Sequence, residues 1–282
     1  MLIVCCALSF GMITTFAHLS YDGGAVPQLL VLGRFAGFSI IVGGFFLATR
    51  RSPRLPARNF KASIVIAVPM MMMSVGYLAS VKYISVSLAV ILLYSFPLMV
   101  GVLAALSGRE RMTLGKVAVM VFAFGGLILA IGGNWGSLDW RGVAFALTAA
   151  LGIAGTLTWA PPFLEGVDTL AVNLWTNIWM LVACAIYLLL AGGLTLPPTS
   201  QGWVGFGLAT VFYTVGYILF FAGMKRLPPA EAAVMLNIEP IVSITAATFL
   251  LGETTAAMQW LGVAIMLAAL CFSALRGAKS GA

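Results

Sequence analysis

The chain has 282 residues, 62% of them hydrophobic and 8% charged, with a net charge of +7 and a mean hydropathy of +1.08. This balance excludes a water-soluble globular domain and describes an integral membrane protein. The positive charge calls for no nucleic-acid partner, because the basic residues sit in short segments beside apolar runs, where they face the headgroups of the lipid bilayer.

Apolar runs of about 20 residues, long enough to cross the hydrocarbon layer, predict ten transmembrane helices. Span 1 is Leu2–His18. It is apolar like a signal peptide but has no basic n-region, so it is read as a span. It carries Cys5 and Cys6, and His18, the single histidine, stands at its outer end as an edge residue. Span 2, Val26–Ala48, contains Arg34 about eight residues from its outer end, roughly 12 Å deep. A basic segment with Arg50, Arg51, Arg54, Arg58 and Lys61 separates it from span 3, Ala62–Val81, which holds the run PMMMMSVGY and Tyr77. Span 4, Ser85–Ser107, carries Tyr94 and Pro97. Spans 5 and 6 are Leu114–Gly132 and Gly142–Ala160, followed by the acidic turn PPFLEGVDT. Span 7, Leu170–Ala191, offers Trp175, Asn177 and Trp179, and span 8, Trp203–Met224, offers Tyr213 and Tyr217 as amphipathic walls for a small solute. Span 9, Ala230–Leu251, contains Asn237, Glu239 and Pro240, and span 10 is Met258–Leu275.

Twelve of the fifteen basic residues fall in the segments after even-numbered spans, while only Lys82 and Arg141 flank the other side. The positive-inside rule then predicts that both termini are cytoplasmic. The acidic turn is the one inner loop without Lys or Arg. Trp135, Trp140, Trp203 and Trp260 stand near span ends, as an interfacial belt requires. Cys5, Cys6, Cys184 and Cys271 fall within spans and lack metal-ligand spacing, so they are read as packing residues.

The chain repeats itself. KYISVSLAVILLYSFPLMVGVLAALSGRE and KRLPPAEAAVMLNIEPIVSITAATFLLGE match Lys82 to Lys225, Ala89 to Ala232, Leu93 to Leu236, Pro97 to Pro240 and Glu110 to Glu253, all at an offset of 143. Val75-Gly76-Tyr77 likewise matches Val215-Gly216-Tyr217. Two copies of a five-helix unit follow, over 1–132 and 142–275. Because five is odd, the copies must be inverted, the arrangement of many secondary transporters.

These segments, the basic loop after span 2 and the ending GETTAAMQWLGVAIMLAAL resemble the EamA-type transporters of the drug/metabolite transporter superfamily. The resemblance covers both halves. It implies an all-α fold in which spans 1 to 4 and 6 to 9 surround a central cavity, while spans 5 and 10 pack outside. It also implies a bacterial inner-membrane transporter, as a monomer or a homodimer, whose cargo is an amino acid or related metabolite.

Each proline should free the carbonyl four residues earlier, that of Leu93 or Leu236, and kink its span. In a membrane such a carbonyl must face protein or water, which turns both kinks toward the cavity unless they only shape packing. Glu239 lies about 13 Å from the inner end of span 9, near the midplane, and must pair, take a proton or touch water. Arg34, at a similar depth, is its expected partner, either as a lock between helices or as part of a substrate or proton site. Asn237 aligns with Tyr94, and either would hydrogen-bond a ligand or the freed carbonyl.

The chain lacks a GxxxxGK[ST] loop for nucleotide, a His and Cys set for a metal, and a histidine partner for a serine nucleophile. The expected protein is therefore no enzyme and needs no cofactor. It carries a small metabolite by alternating access, with proton coupling open at Glu239. A multi-helix channel is the rival, but it needs a continuous polar stripe where these spans offer isolated polar points.

Overall fold

A computed structural model describes residues 1–80, 92–108, 113–131, 139–191 and 195–250, together with Tyr83, Ile84, Ala89 and isolated positions between 257 and 268. Most of predicted span 10, and Lys82, Glu110, Trp135, Glu253 and Cys271, lie outside the described residues. The helices are α1 (Leu2–Asp22), α2 (Pro27–Ala48), α3 (Ala57–Ser80), α4 (Phe96–Leu106), α5 (Leu114–Ile131), α6 (Trp140–Trp159), α7 (Thr169–Ala191), α8 (Ser200–Met224), α9 (Pro229–Leu236) and α10 (Ile238–Leu250). Seven stretches are long and apolar enough to cross a membrane, the last running through α9 and α10 as Glu231–Leu250. Phe96–Leu106 and Val117–Gly126 are shorter apolar helices. The chain is thus an all-helical membrane protein. Arg58 and Lys61, expected in a loop, belong to the start of α3, which begins five residues earlier than the hydropathy suggested.

The chain folds into two compact units. The first comprises Met1–Ala67, Pro162–Lys225 and Val242–Glu253; the second comprises Val68–Pro161, Arg226–Ile241 and Thr254–Ala282. Each unit therefore draws segments from both sequence halves.

In the first unit α1 runs antiparallel to α8, and α2 packs on α7 and α8. Small residues set the approach, since lipid offers no hydrophobic drive for helices to associate. A Cβ on Gly205 would stand 2.5 Å from the Ser20 amide nitrogen, so only glycine fits there. At one end of the unit Ser20 Oγ donates to the Gly202 carbonyl at 2.9 Å. Thr199 Oγ1 there donates to the Gly23 carbonyl at 2.9 Å and accepts the Gly202 N–H at 3.1 Å, capping α8. At the other end the basic loop meets the acidic turn. Arg51 pairs with Asp168 at 2.7 Å, Asn59 Nδ2 donates to the Phe163 carbonyl at 2.9 Å, and Lys225 Nζ reaches the Val167 carbonyl at 3.5 Å. The acidic turn, which has no Lys or Arg of its own, borrows them from its neighbours.

In the second unit α6 lies against the later half of α3, where Gly152 faces the backbone of Pro69 and Met73, and Gly76 faces that of Phe145 and Ala149. α4 packs on α5, α6 and α9. Ile84, Ala89 and Ala146 form a small buried core with Tyr77 and Leu92 against it.

Candidate functional site

Each proline follows a short turn in the helical hydrogen bonding of its span. The second such span turns at Asn237, where α9 ends and α10 begins, and the first turns over Tyr94 and Ser95 before α4 begins. These are matched positions of the repeat, since Tyr94 aligns with Asn237. Pro97 is the second residue of α4 and Pro240 the third of α10. A proline in a first turn lacks a donor that would be unsatisfied anyway, while its ring clashes with the preceding turn. The break is therefore pushed upstream of the ring. Ser95 meets one acceptor before it twice, its N–H donating to the Leu92 carbonyl at 3.2 Å and its hydroxyl to the same carbonyl at 2.6 Å. Asn237 N–H turns back to the Val234 carbonyl at 3.1 Å.

The break brings polar groups together. Glu239, half-buried in the first turn of α10, accepts a hydrogen bond from the Tyr94 hydroxyl. A carboxylate in a first turn is favoured by the amide dipoles there. The Tyr94 ring is buried and leans on Phe96 at 5.7 Å, and Phe96 and Pro97 are buried in turn. Asn237 is buried as well, yet its Oδ1 has no hydrogen-bond partner among the described residues. A buried acceptor left open in a membrane span departs from the usual satisfaction of such groups.

The second polar cluster is in the first unit. Asn173 Nδ2 donates to the Tyr217 carbonyl at 2.9 Å, Asn177 Nδ2 donates to Asn173 Oδ1 at 2.9 Å, and the Tyr213 hydroxyl donates to Asn177 Oδ1 at 3.0 Å. The Tyr213 and Tyr217 rings stand 4.2 Å apart, and Phe35 and Phe38 present edges to Tyr213. The Arg34 guanidinium lies over the Tyr213 ring, 5.3 Å from its centre. Asn177 is thus spent within the protein and is not an open wall group. Trp175 and Trp179 are spent likewise, their indole N–H groups donating to the Pro53 carbonyl at 2.9 Å and Ser63 Oγ at 3.1 Å with Phe60 against both rings. Tyr77 packs on the small core of the second unit, and His18 stays exposed beside Tyr21.

Arg34 belongs to the first unit and Glu239 to the second. Asn173 escaped the reading of the sequence, although its spacing of four from Asn177 places both amides on one helix face. No group of His, Cys, Asp or Glu among the described residues is fit to hold a metal.

An all-helical membrane chain whose two halves repeat, with a helical turn at matched positions, has the build of a membrane transporter. The EamA-like transporter family matches it over residues 1–132 and 140–275, so the chain belongs to that family and is a membrane transporter, not an enzyme. The uncharacterized inner membrane transporter YedA of Escherichia coli is 24% identical over 255 residues, 86% of this chain and 80% of that protein. The uncharacterized transporter YvbV of Bacillus subtilis is 22% identical over 268 residues, 90% and 84% of the two chains. A solved crystal structure with 18% identity superposes at a TM-score of 0.78, covering 97% of this chain and 96% of its own, and shows the same fold.

Proposed function

We propose that the chain is a secondary transporter that moves a small metabolite, an amino acid or related compound, across the bacterial inner membrane by alternating access of two inverted five-helix halves. The observation that carries this reading is the matched pair of helix breaks, with Glu239 held by Tyr94 at the second. Broken helices near the midplane, in corresponding positions of two repeats, are where carriers bind cargo and coupling ions. The inner-membrane location follows the name of the YedA relative. Glu239, Tyr94, Asn237 and Arg34 are the residues proposed to face cargo or proton.

Counterflow in proteoliposomes, run across labelled amino acids, amines and organic anions, tests the assignment. Saturable exchange competed by unlabelled solute is expected; unsaturable flux at high turnover would make the chain a channel. Both termini are placed in the cytoplasm by the basic asymmetry, so single cysteines at Ser52 and Asn134 should label from opposite sides. Labelling of position 52 by an impermeant reagent in intact cells would invert the topology.

A further inference from the structure

We propose that Arg34 is an anion subsite, built in the first unit to take a carboxylate or phosphate oxygen of the cargo; the inference deepens the transporter reading and rests on it. Arg34 stands eight residues into α2, counting from Pro27, roughly 12 Å along a membrane span. Its Nε is shielded from solvent and has no hydrogen-bond partner among the described residues. A guanidinium at such depth is not left unpaired without a use.

The platform beneath it is rigid. Tyr213, over which the guanidinium lies, is tied by its hydroxyl to Asn177, packed against the tilted ring of Tyr217, and met edgewise by Phe35 and Phe38. The hydrogen bonds of Asn173 and Asn177 run among themselves, the Tyr217 carbonyl and the Tyr213 hydroxyl, and none of them goes to Arg34. The Tyr213 ring face holds the positive charge without taking up a guanidinium N–H in a hydrogen bond. That planar fork matches carboxylate and phosphate oxygens.

The purified full chain, heated in detergent with matched solutes, tests this. L-alanine and L-leucine are set against their amides, and glycerol 3-phosphate against glycerol. The expected result is a saturable rise in melting temperature with the acidic member of a pair and none with the neutral one, the two arms telling carboxylate from phosphate. Arg34→Lys should weaken the apparent affinity about tenfold or more, because a point charge replaces the fork. Arg34→Gln should abolish the response without lowering the melting temperature of the ligand-free protein. Should it fail to fold, Arg34→Lys carries the test.

Equal stabilisation by acid and amide, or none by any acidic probe, overturns the subsite. So does a loss of stability in Arg34→Gln that added Glu239→Gln restores, since Arg34 is then a structural ion pair. Saturable counterflow of a solute without an acid group, untouched by Arg34→Gln, removes the subsite and leaves the carrier. Acid-specific stabilisation in a chain with only unsaturable flux removes the carrier and leaves a ligand site.

Discussion

The two polar clusters, one in each unit, are built on opposite principles. In the first, amides and hydroxyls answer one another from Tyr213 through Asn177 and Asn173 to the Tyr217 carbonyl, and the one group left over is a donor, Arg34. In the second, helix continuity is given up at Asn237, and the groups gathered there are acceptors: the Glu239 carboxylate, bound by Tyr94, and the open Asn237 Oδ1. Satisfied polar networks stiffen a core, whereas open polar groups await something that moves. One cluster is therefore a closed network beside a cation, and the other an open one beside a carboxyl group.

The largest effect that would test this contrast is on Glu239. Glu239→Gln keeps an acceptor for Tyr94 but removes the charge, so the protein should fold while transport falls about tenfold to a hundredfold, as for a lost charge-assisted bond. If the carboxylate carries a coupling proton, the pH dependence of transport should flatten in the same variant. Adding Arg34→Gln should leave the double variant stable but still impaired, because the group with differential affinity for cargo is gone. Wild-type transport by the double variant would reduce both residues to a lock between helices.

The same substitution at two asparagines should give opposite results. Asn177→Leu strands the Tyr213 hydroxyl and Asn173 Oδ1 in a buried place, at a cost of about 1–3 kcal/mol, and the melting temperature should drop. Asn237→Leu breaks no bond at Oδ1, so stability should hold within about 0.5 kcal/mol while transport slows. If the two variants lose stability alike, the distinction between closed and open clusters fails.

Several of these features were legible beforehand. Arg34 and Glu239 stand out as ionisable groups in apolar spans, and the offset of 143 exposes Pro97 and Pro240. That each helix would stop three residues before its proline was not legible, because the choice between kink and break depends on what satisfies the upstream carbonyls. Nor was the bond from Tyr94 to Glu239, a long-range contact that periodicity does not encode. The repeat boundary near 132 to 142 likewise gave no hint of compact units that mix both halves, since similarity follows the order of the chain and contact does not.

A smaller effect is expected from the prolines. Pro97→Ala and Pro240→Ala each restore a backbone N–H in a first turn and let the broken helix run through, which should slow transport severalfold and leave insertion intact. Full activity in both would return the breaks to packing alone.

The smallest effect concerns the membrane-flanking end of the second unit, where Asp139 caps α6 by accepting the Arg141 N–H at 2.9 Å and the Arg141 guanidinium at 2.7 Å. The guanidinium also lies over Tyr83, 4.7 Å from the ring centre. Hydrogen bonds from the Arg141 side chain and then its backbone hold the Asp139 carboxyl below its ordinary 3.8. A folded value below the unfolded one means that the cap contributes fully above the ordinary value and is lost as pH falls through the lowered one. Exchange of the first-turn amides of α6, followed from about pH 6 down to about pH 3, should therefore show protection that fades only in acid. Asp139→Asn should remove that acid dependence while keeping most of the cap, because an asparagine oxygen still accepts the amide. Arg141 is exposed and Asp139 partly so, so transport at neutral pH should not change in this variant, in contrast to the buried groups at the break. An acid dependence that survives Asp139→Asn would assign it to another group.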